Sequence, residues 1–171
     1  MRWAGLIGLV LCSFLCMGQE VEVTPGKGSV LISVSAQKAY QWLASEQKVP
    51  TLSLQCAQKN KKSVHLLLFS PQGDVTEDNP ETAGRTGQVT FHMIIGSAAQ
   101  LTTWIPYGDA VTYAYYGKTE PERVQFIEYL LKSPSATIQF KPFLTGVTVT
   151  SVFDITKLRD EMEKHPECAL H

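Results

Sequence analysis

The amino-acid sequence predicts an α+β domain that is mostly β, with an antiparallel sheet or sandwich and two short-to-medium helices in its C-terminal half. Three observations support this class. Several short segments alternate apolar and polar residues with a period of two, which is typical of half-buried strands. Two later segments have apolar residues at helical spacing and begin with capping residues. Strands and helices do not alternate along the chain, so a parallel α/β sheet is disfavoured.

Residues 1–18 have the features of a signal peptide. Arg2 is followed by an apolar run from Trp3 to Leu15, which is shorter than the roughly 20 apolar residues that span a membrane. A cut after Gly18 would leave small residues, Cys16 and Gly18, where signal peptidase requires them. The sequence therefore predicts a soluble exported protein, periplasmic or secreted, without an integral membrane segment after cleavage. An uncleaved anchor is the alternative.

Lipidation is disfavoured because Cys12 and Cys16 each follow a leucine rather than a small residue. Residues 19–29 contain one proline and two glycines, which predict a flexible lead-in. Residues 30–171 show no internal repeat and no linker. They are predicted to form a single β-rich domain, a size that one hydrophobic core can support.

The first predicted strands lie between residues 30 and 69. Val30 to Val34 is a strand, whereas residues 36–48 are expected to form a loop or a poorly formed helix. Residues 51–56 and 63–69 alternate in character, and the polar turn at residues 59–62 joins them into a hairpin. A solvated hairpin tip is favoured over a lysine-rich binding patch. The apolar residues expected to share a face are Leu52, Leu54 and Cys56 in the first strand and Val64, Leu66 and Leu68 in the second.

A long polar segment precedes the next strands. Residues 70–87 contain two prolines and three glycines, so they are expected to lack regular structure and to be either functional or mobile. Further strands are predicted at residues 89–95, 101–104 and 110–116, with a turn at residues 106–109 between the last two.

The C-terminal half contains the two predicted helices. Thr119 and Glu122 have capping-box spacing, with Pro121 in the first turn and Pro134 as the stop signal. Asp154 is expected to cap a second helix. The remaining predicted elements are strands over residues 136–140 and 146–153 and this closing helix over residues 155–165.

Two cysteines, Cys56 and Cys168, lie outside the predicted signal. An exported chain meets an oxidising compartment, so we expect them to form a disulfide. A catalytic thiol is the competing interpretation, because His165 lies near Cys168. A chain terminus is a poor place for a preorganised site, so the structural interpretation is favoured.

Charge and motifs narrow the classes of function. The chain has 15 basic and 16 acidic residues, a formal net charge of −1, which gives no support for nucleic-acid binding. The sequence has no G-x-S-x-G motif, no Walker loop, no dinucleotide-binding glycines and no metal-binding histidine or cysteine spacing. The acids at residues 74–81 do not follow the order of an EF-hand. We therefore expect no catalytic residues, no metal and no cofactor.

Aromatic residues cluster between positions 104 and 116. Such side chains can anchor a protein partner or stack on sugar rings, although packing within a sheet is the more common role. Tyr116 should lie on the face opposite Tyr113 and Tyr115, which makes it the strongest candidate for exposure. The residues of the predicted binding surface are Trp104, Tyr107 and Tyr116.

Several short patterns together resemble the type VI secretion-associated VasI/TagO-like family of exported proteins. They are the P-x-L-x-L-x-C strand of residues 50–56, the paired leucines of residues 130–131, the strand and proline turn of residues 138–143, the Phe153-Asp154 helix start and the closing Cys168. The resemblance implies a non-catalytic envelope accessory protein in which Cys56 and Cys168 are the family's disulfide pair and Phe153-Asp154 is a structural junction. The chain differs from the family after Cys168, where Ala169 and Leu170 replace the usual C-x-W ending, and over residues 87–117.

The resulting hypothesis is an exported, non-catalytic binding or accessory protein of the bacterial cell envelope, associated with a type VI secretion system and binding an envelope or secretion-system protein. Two alternatives stay open. One is a small exported hydrolase of cell-wall or peptide substrates, which would need a pocket that gathers His65 or His92 with a carboxylate and a hydroxyl. The other is an inhibitor or immunity-type protein that blocks an enzyme with residues 70–87.

Overall fold

A computed structural model describes residues 19–59, 62–73, 75 and 87–170. The described residues form eleven strands, two α-helices and a short 3-10 turn. The strands are β1 (Val21–Gly26), β2 (Ser29–Ser35), β3 (Tyr40–Leu43), β4 (Glu46–Lys48), β5 (Thr51–Lys59), β6 (Lys62–Ser70), β7 (Val89–Ile95), β8 (Ala98–Tyr107), β9 (Asp109–Tyr115), β10 (Ser135–Phe140) and β11 (Val149–Asp154). The helices are α1 (Glu120–Leu131) and α2 (Ile155–Met162), and the 3-10 turn is Pro166–Cys168.

Nine of the strands form one antiparallel sheet in the order β1-β2-β5-β6-β9-β8-β7-β10-β11. Four of the eight neighbouring pairs in this sheet are joined by short turns, which is why the period-two patterns of the sequence appear as hairpins. The prediction of a mostly β, α+β domain with an antiparallel sheet and two helices in the C-terminal half is confirmed.

The sheet curls so that distant strands face each other across one core. The ring of Phe69 in β6 lies 5.4 Å from that of Phe140 in β10 and 6.1 Å from that of Phe153 in β11. The backbone amide of Gln37, just beyond β2, donates to the carbonyl of Val152 in β11 over 2.9 Å. The inner face is therefore a closed apolar core, and the opposite face of the sheet is the outer face.

The two helices close this core. Thr119 and Glu122 form the predicted capping box of α1, and Ile127, Leu130 and Leu131 are buried beneath it. Asp154 caps α2 by accepting from the amide of Lys157. α2 buries Ile155 and Leu158. Local capping signals therefore predict both helix starts correctly.

The flexible lead-in predicted over residues 19–29 is wrong. Val21–Gly26 is strand β1, which pairs with β2 from Val21↔Val34 to Gly26↔Ser29. The prediction took Pro25 as a sign of irregular structure. A proline is nevertheless tolerated on an edge strand such as β1, where its missing N–H need not face a neighbour. Val21 and Val23 pack against the core, and this contact holds the strand in place.

The loop or poorly formed helix predicted over residues 36–48 is also wrong. The segment is a two-stranded hairpin of β3 and β4. Tyr40 anchors it: its ring meets Phe140 edge-on at 5.4 Å and its hydroxyl donates to the carbonyl of Pro71 over 2.8 Å. These contacts are distant in sequence, so a local pattern could not show them.

Several element boundaries differ from the predictions, whereas the shared face predicted in β6 is confirmed. β8 runs from Ala98 to Tyr107 rather than over residues 101–104, β11 starts at Val149, and α2 ends at Met162. Val64, Leu66 and Leu68 do share a face, but it is the outer one. The inner face of β6 carries His65, Leu67 and Phe69, opposite the buried residues of β5.

Some predictions fall on residues outside the described part of the chain. These are the signal peptide of residues 1–18, the hairpin tip at residues 60 and 61, and most of the long polar segment, at residues 74 and 76–86. Among the described residues, no helix has the length and apolar character that crossing a membrane requires.

Candidate functional site

A disulfide anchors the C-terminal end of the chain beside strands β5 and β6. The sulfur atoms of Cys56 and Cys168 lie 2.05 Å apart, so the expected pairing is confirmed. His65 is the register partner of Cys56, and its Nε2 lies 3.1 Å from the backbone oxygen of Cys168. The bridge and this hydrogen bond hold the 3-10 turn against the inner side of β5 and β6.

Strands β6 and β9 diverge next to this anchor. β6 pairs with β5 along nine residue pairs, whereas its described pairing with β9 consists of Leu68↔Ala114 and Phe69↔Tyr113. β9 instead stays with β8, because the amide of Tyr116 donates to the carbonyl of Thr103 over 2.8 Å. The divergence opens a cavity of about 440 Å³, which we call the β6–β9 groove. Its walls include Val64, Leu66, Ile105, Tyr107, Ala114 and Tyr116.

Two of the three predicted surface aromatics border this groove. Tyr107 and Tyr116 are each 40% exposed. The hydroxyl of Tyr107 donates to Oε1 of Gln55 in β5 over 3.1 Å, so this side chain reaches from β8 towards the opposite wall. Apolar rings with one polar end suit partner contacts, because they bury large area and still pair their hydroxyl groups.

Tyr116 separates the groove from a second cavity beside helix α1. This helix-side cavity has a volume of about 530 Å³ and is lined on the helix by Glu122, Gln125, Phe126 and Tyr129. The rings of Tyr115 and Phe126 stack between the cavities, with centroids 4.0 Å apart and planes at 14°. Burial, and then the Glu122 carboxylate, raise the pKa of Tyr115 above its ordinary value. The phenol is therefore neutral at neutral pH.

The sequence did not predict the contribution of α1 to this site. Arg123 lines the groove and donates through Nη1 to the carbonyl of Gly117 over 3.1 Å. The residues that line the helix-side cavity recur at positions 122, 125, 126 and 129, which is helical spacing on a face beside the buried stripe. This second face of α1 is the sequence pattern from which its contribution to the site could have been predicted.

Trp104 does not belong to the surface. Its side chain is fully buried, its Nε1 donates to Oγ1 of Thr102 over 2.8 Å, and its ring contacts those of Phe69 and Phe91. The prediction that Trp104 contributes to a binding surface is therefore wrong. The register Val89↔Trp104 places it on the inner face of β8, with the core.

The two histidines considered for catalysis lie apart. Nδ1 of His92 lies 2.8 Å from Oε1 of Gln139, across the β7–β10 pair, whereas His65 lines the groove. Among the described lining residues of the groove, His65 and Arg123 are accompanied by no carboxylate. Within the same part of the chain, no group of three or more histidines, cysteines or acids could hold a metal ion. Neither of the two cavities, as lined by the described residues, brings His65 or His92 together with a carboxylate.

Comparison with known proteins found no matching family model, no similar curated protein and no similar solved structure. The case for a function therefore depends on the geometry of this chain. Its main elements are the groove, the exposed tyrosines and the disulfide that holds the C-terminal turn behind them.

Proposed function

We propose that the protein is an exported, non-catalytic binding or accessory protein of the bacterial cell envelope, and that the β6–β9 groove is its partner-binding site. The observation that carries the proposal is the exposure of Tyr107 and Tyr116 at the borders of a groove within an otherwise well-paired sheet. A groove of about 440 Å³ falls within the range of ligand-binding pockets, so it could receive one or a few side chains of a partner.

The disulfide supports export. Bridges of this kind persist in the periplasm and outside the cell and are rare in the reducing cytosol. The bond between Cys56 and Cys168 thus agrees with the signal peptide inferred from residues 1–18. These two features together support the proposed periplasmic or secreted location.

The character of the groove supports a protein partner. Its walls are mainly apolar and aromatic, and the hydroxyl of Tyr107 is already paired with Gln55. Arg123 contributes a cation at one wall, without an acidic residue among the described lining. Such a surface would bind an apolar anchor with a nearby acidic group, by shape and desolvation more than by long-range attraction.

Association with a type VI secretion system is the finer part of the proposal. Its support is the sequence resemblance, together with two features that the resemblance implies: the Cys56–Cys168 pair and the junction at Phe153-Asp154, where β11 meets α2. Genes for a secretion sheath and spike beside the gene of this protein would support the association. Their absence would reduce it to a general envelope role.

Site-specific photocrosslinking in living cells tests the groove. A photoreactive phenylalanine analogue would replace Tyr107 or Tyr116, and Leu101 would be the matched control, since it is exposed on the outer face of β8 away from the groove. We expect an adduct of one defined mass from the two groove positions and none from position 101. The same adducts from all three positions, or none from the groove, would contradict the proposal.

The two alternative functions lack a supporting observation. A hydrolase would need a histidine beside a carboxylate, and the described lining of the groove and of the helix-side cavity supplies no such pair. An inhibitor acting through residues 70–87 would use a segment of which residues 74 and 76–86 lie outside the described part. Neither is therefore preferred to the binding protein.

A further inference from the structure

The connection between β10 and β11 exposes three large apolar side chains. Residues 141–148 form this connection, which we call the 141–148 loop. Phe143 is 65% exposed, Leu144 56% and Val147 67%. Most exposed apolar residues of soluble proteins occur singly, whereas contiguous ones mark interaction sites. Three such residues within five positions therefore indicate a surface that meets a partner.

The loop is built to present these side chains outwards. Pro142 is buried and pairs with Val75 in an isolated antiparallel β-bridge, and this pairing fixes the base of the loop. The amide of Gly146 donates to the carbonyl of Pro142 over 2.9 Å, so the chain turns tightly between them. Gly146 has a φ of 62°, a conformation that a glycine adopts without strain. Phe143 and Leu144 thus lie at the tip of a convex turn.

The composition of the loop region indicates what this tip could meet. From Phe140 to Phe153, the sequence contains one charged residue, Lys141, and no acid. The whole chain, by contrast, has a net charge of −1. A segment without carboxylates avoids repulsion from anionic lipid headgroups.

We propose that the 141–148 loop inserts its apolar tip into the interface of a lipid bilayer that contains anionic lipid. A bilayer is the preferred occupant because the tip is convex and apolar and lacks acidic groups. A fluid interface can surround a protruding side chain, whereas a protein partner would have to supply a matching pocket. Such a contact would place the protein at a membrane surface through a site separate from the groove.

Vesicle co-sedimentation tests the proposal with the full chain. The probe would be vesicles of phosphatidylcholine with about a third phosphatidylglycerol. The test variant is F143S/L144S/V147S, and the control is L101S, which removes an apolar side chain that is 74% exposed elsewhere. Residues 1–18 are the same in every variant, so any vesicle binding by that apolar segment cancels. Because each inserted side chain contributes a factor of about ten, we expect the triple variant to lose at least tenfold in partitioning.

A second measurement reports the depth of insertion and does not depend on whether the triple variant folds. Quenching by brominated lipid would be measured for F143W and L101W, after subtraction of the signal of the unmodified chain. We expect strong quenching at position 143 and none at position 101. Equal vesicle binding by the triple variant and L101S, or no quenching at position 143, would overturn the proposal. So would association of the unmodified chain into dimers that the triple variant abolishes, because a second copy would then be the occupant.

Discussion

The β6–β9 groove and the 141–148 loop both expose large apolar side chains, but they do so in opposite ways. The groove is concave, and the Tyr107 hydroxyl at its border is hydrogen-bonded to Gln55. The loop is convex, and its exposed residues Phe143, Leu144 and Val147 have purely apolar side chains. Exposure alone therefore does not define a partner. Curvature and the presence of polar ends are the reasons why we propose a shaped protein ligand for the first region and a fluid lipid interface for the second.

The largest expected effect comes from removing the disulfide. The two cysteines are 112 positions apart in sequence, and closing so long a loop stabilises a folded chain by about 4–5 kcal/mol at most in the chain-entropy model. We expect C56A/C168A to lose a few kcal/mol in urea unfolding and to become insensitive to reductant. An unchanged midpoint would contradict the structural role of the bridge.

The same variant separates the two regions. The bridge lies beside His65 at the groove, and neither of its cysteines belongs to the 141–148 loop. Under conditions in which C56A/C168A remains folded, we expect weaker crosslinking from position 116 and unchanged vesicle binding. Equal losses in the two assays would show that the regions are not independently supported.

Substitutions at Trp104 and Tyr116 contrast the two faces of the sheet. Trp104→Ala removes a fully buried ring and should cost about 3–5 kcal/mol of stability. Tyr116→Ala trims a half-exposed ring, so we expect a cost of about 1 kcal/mol or less, with loss of partner binding. Thermal unfolding and the crosslinking assay, applied to each variant, check both expectations. A large loss of stability at Tyr116 would instead make it a packing residue.

An effect smaller than that of Trp104→Ala is expected at Tyr40, which supports the side of the fold next to the loop. Burial, followed by the Glu46 carboxylate, raises the pKa of Tyr40 from 10.0 to about 12. Below pH 10 the phenol is protonated in the folded and unfolded chains, so titration has no effect on stability. Above pH 10 the unfolded chain loses the proton first, and up to about 2–3 kcal/mol of stability should disappear as the pH approaches 12.

Tyr40→Phe tests this assignment. The substitution removes the hydrogen bond to the carbonyl of Pro71 and should cost about 1–2 kcal/mol at neutral pH. It should also flatten the alkaline loss of stability, because the titrating group is gone. Unfolding curves at pH 9 and pH 11 for both chains measure the difference. A parallel decline in the two would assign the alkaline loss to other groups.

Much of the fold could be predicted because the decisive signals are local. The capping box at Thr119 and the alternation in β5 and β7 depend on a few adjacent residues, and the structure confirms them. Strand β1 was missed although it forms a local hairpin with β2 through residues 27 and 28, because Pro25 and the flanking glycines resemble an irregular segment. The β3–β4 hairpin was missed because the contact of Tyr40 with Phe140, which anchors it, is distant in sequence and leaves no local pattern.

The candidate site was predicted in part for a similar reason. Alternation correctly separated Tyr116 from the inward Tyr113, since neighbouring strand residues point to opposite faces. The burial of Trp104 depends on its register with Val89, which a predicted strand of four residues could not reveal. The groove itself depends on the divergence of β6 from β9, a property of strand packing that sequence periodicity does not contain.

One crossed measurement tests the central claim, that the groove binds a partner protein separately from the loop. The photoreactive analogue would replace Val64, at the groove wall, in three backgrounds: the unmodified chain, Y107A/Y116A and F143S/L144S/V147S. We expect the crosslinked adduct to disappear in Y107A/Y116A and to persist in the loop variant, measured in a detergent extract so that membrane attachment plays no part. An adduct that survives Y107A/Y116A, or one lost equally in the loop variant, would contradict the claim.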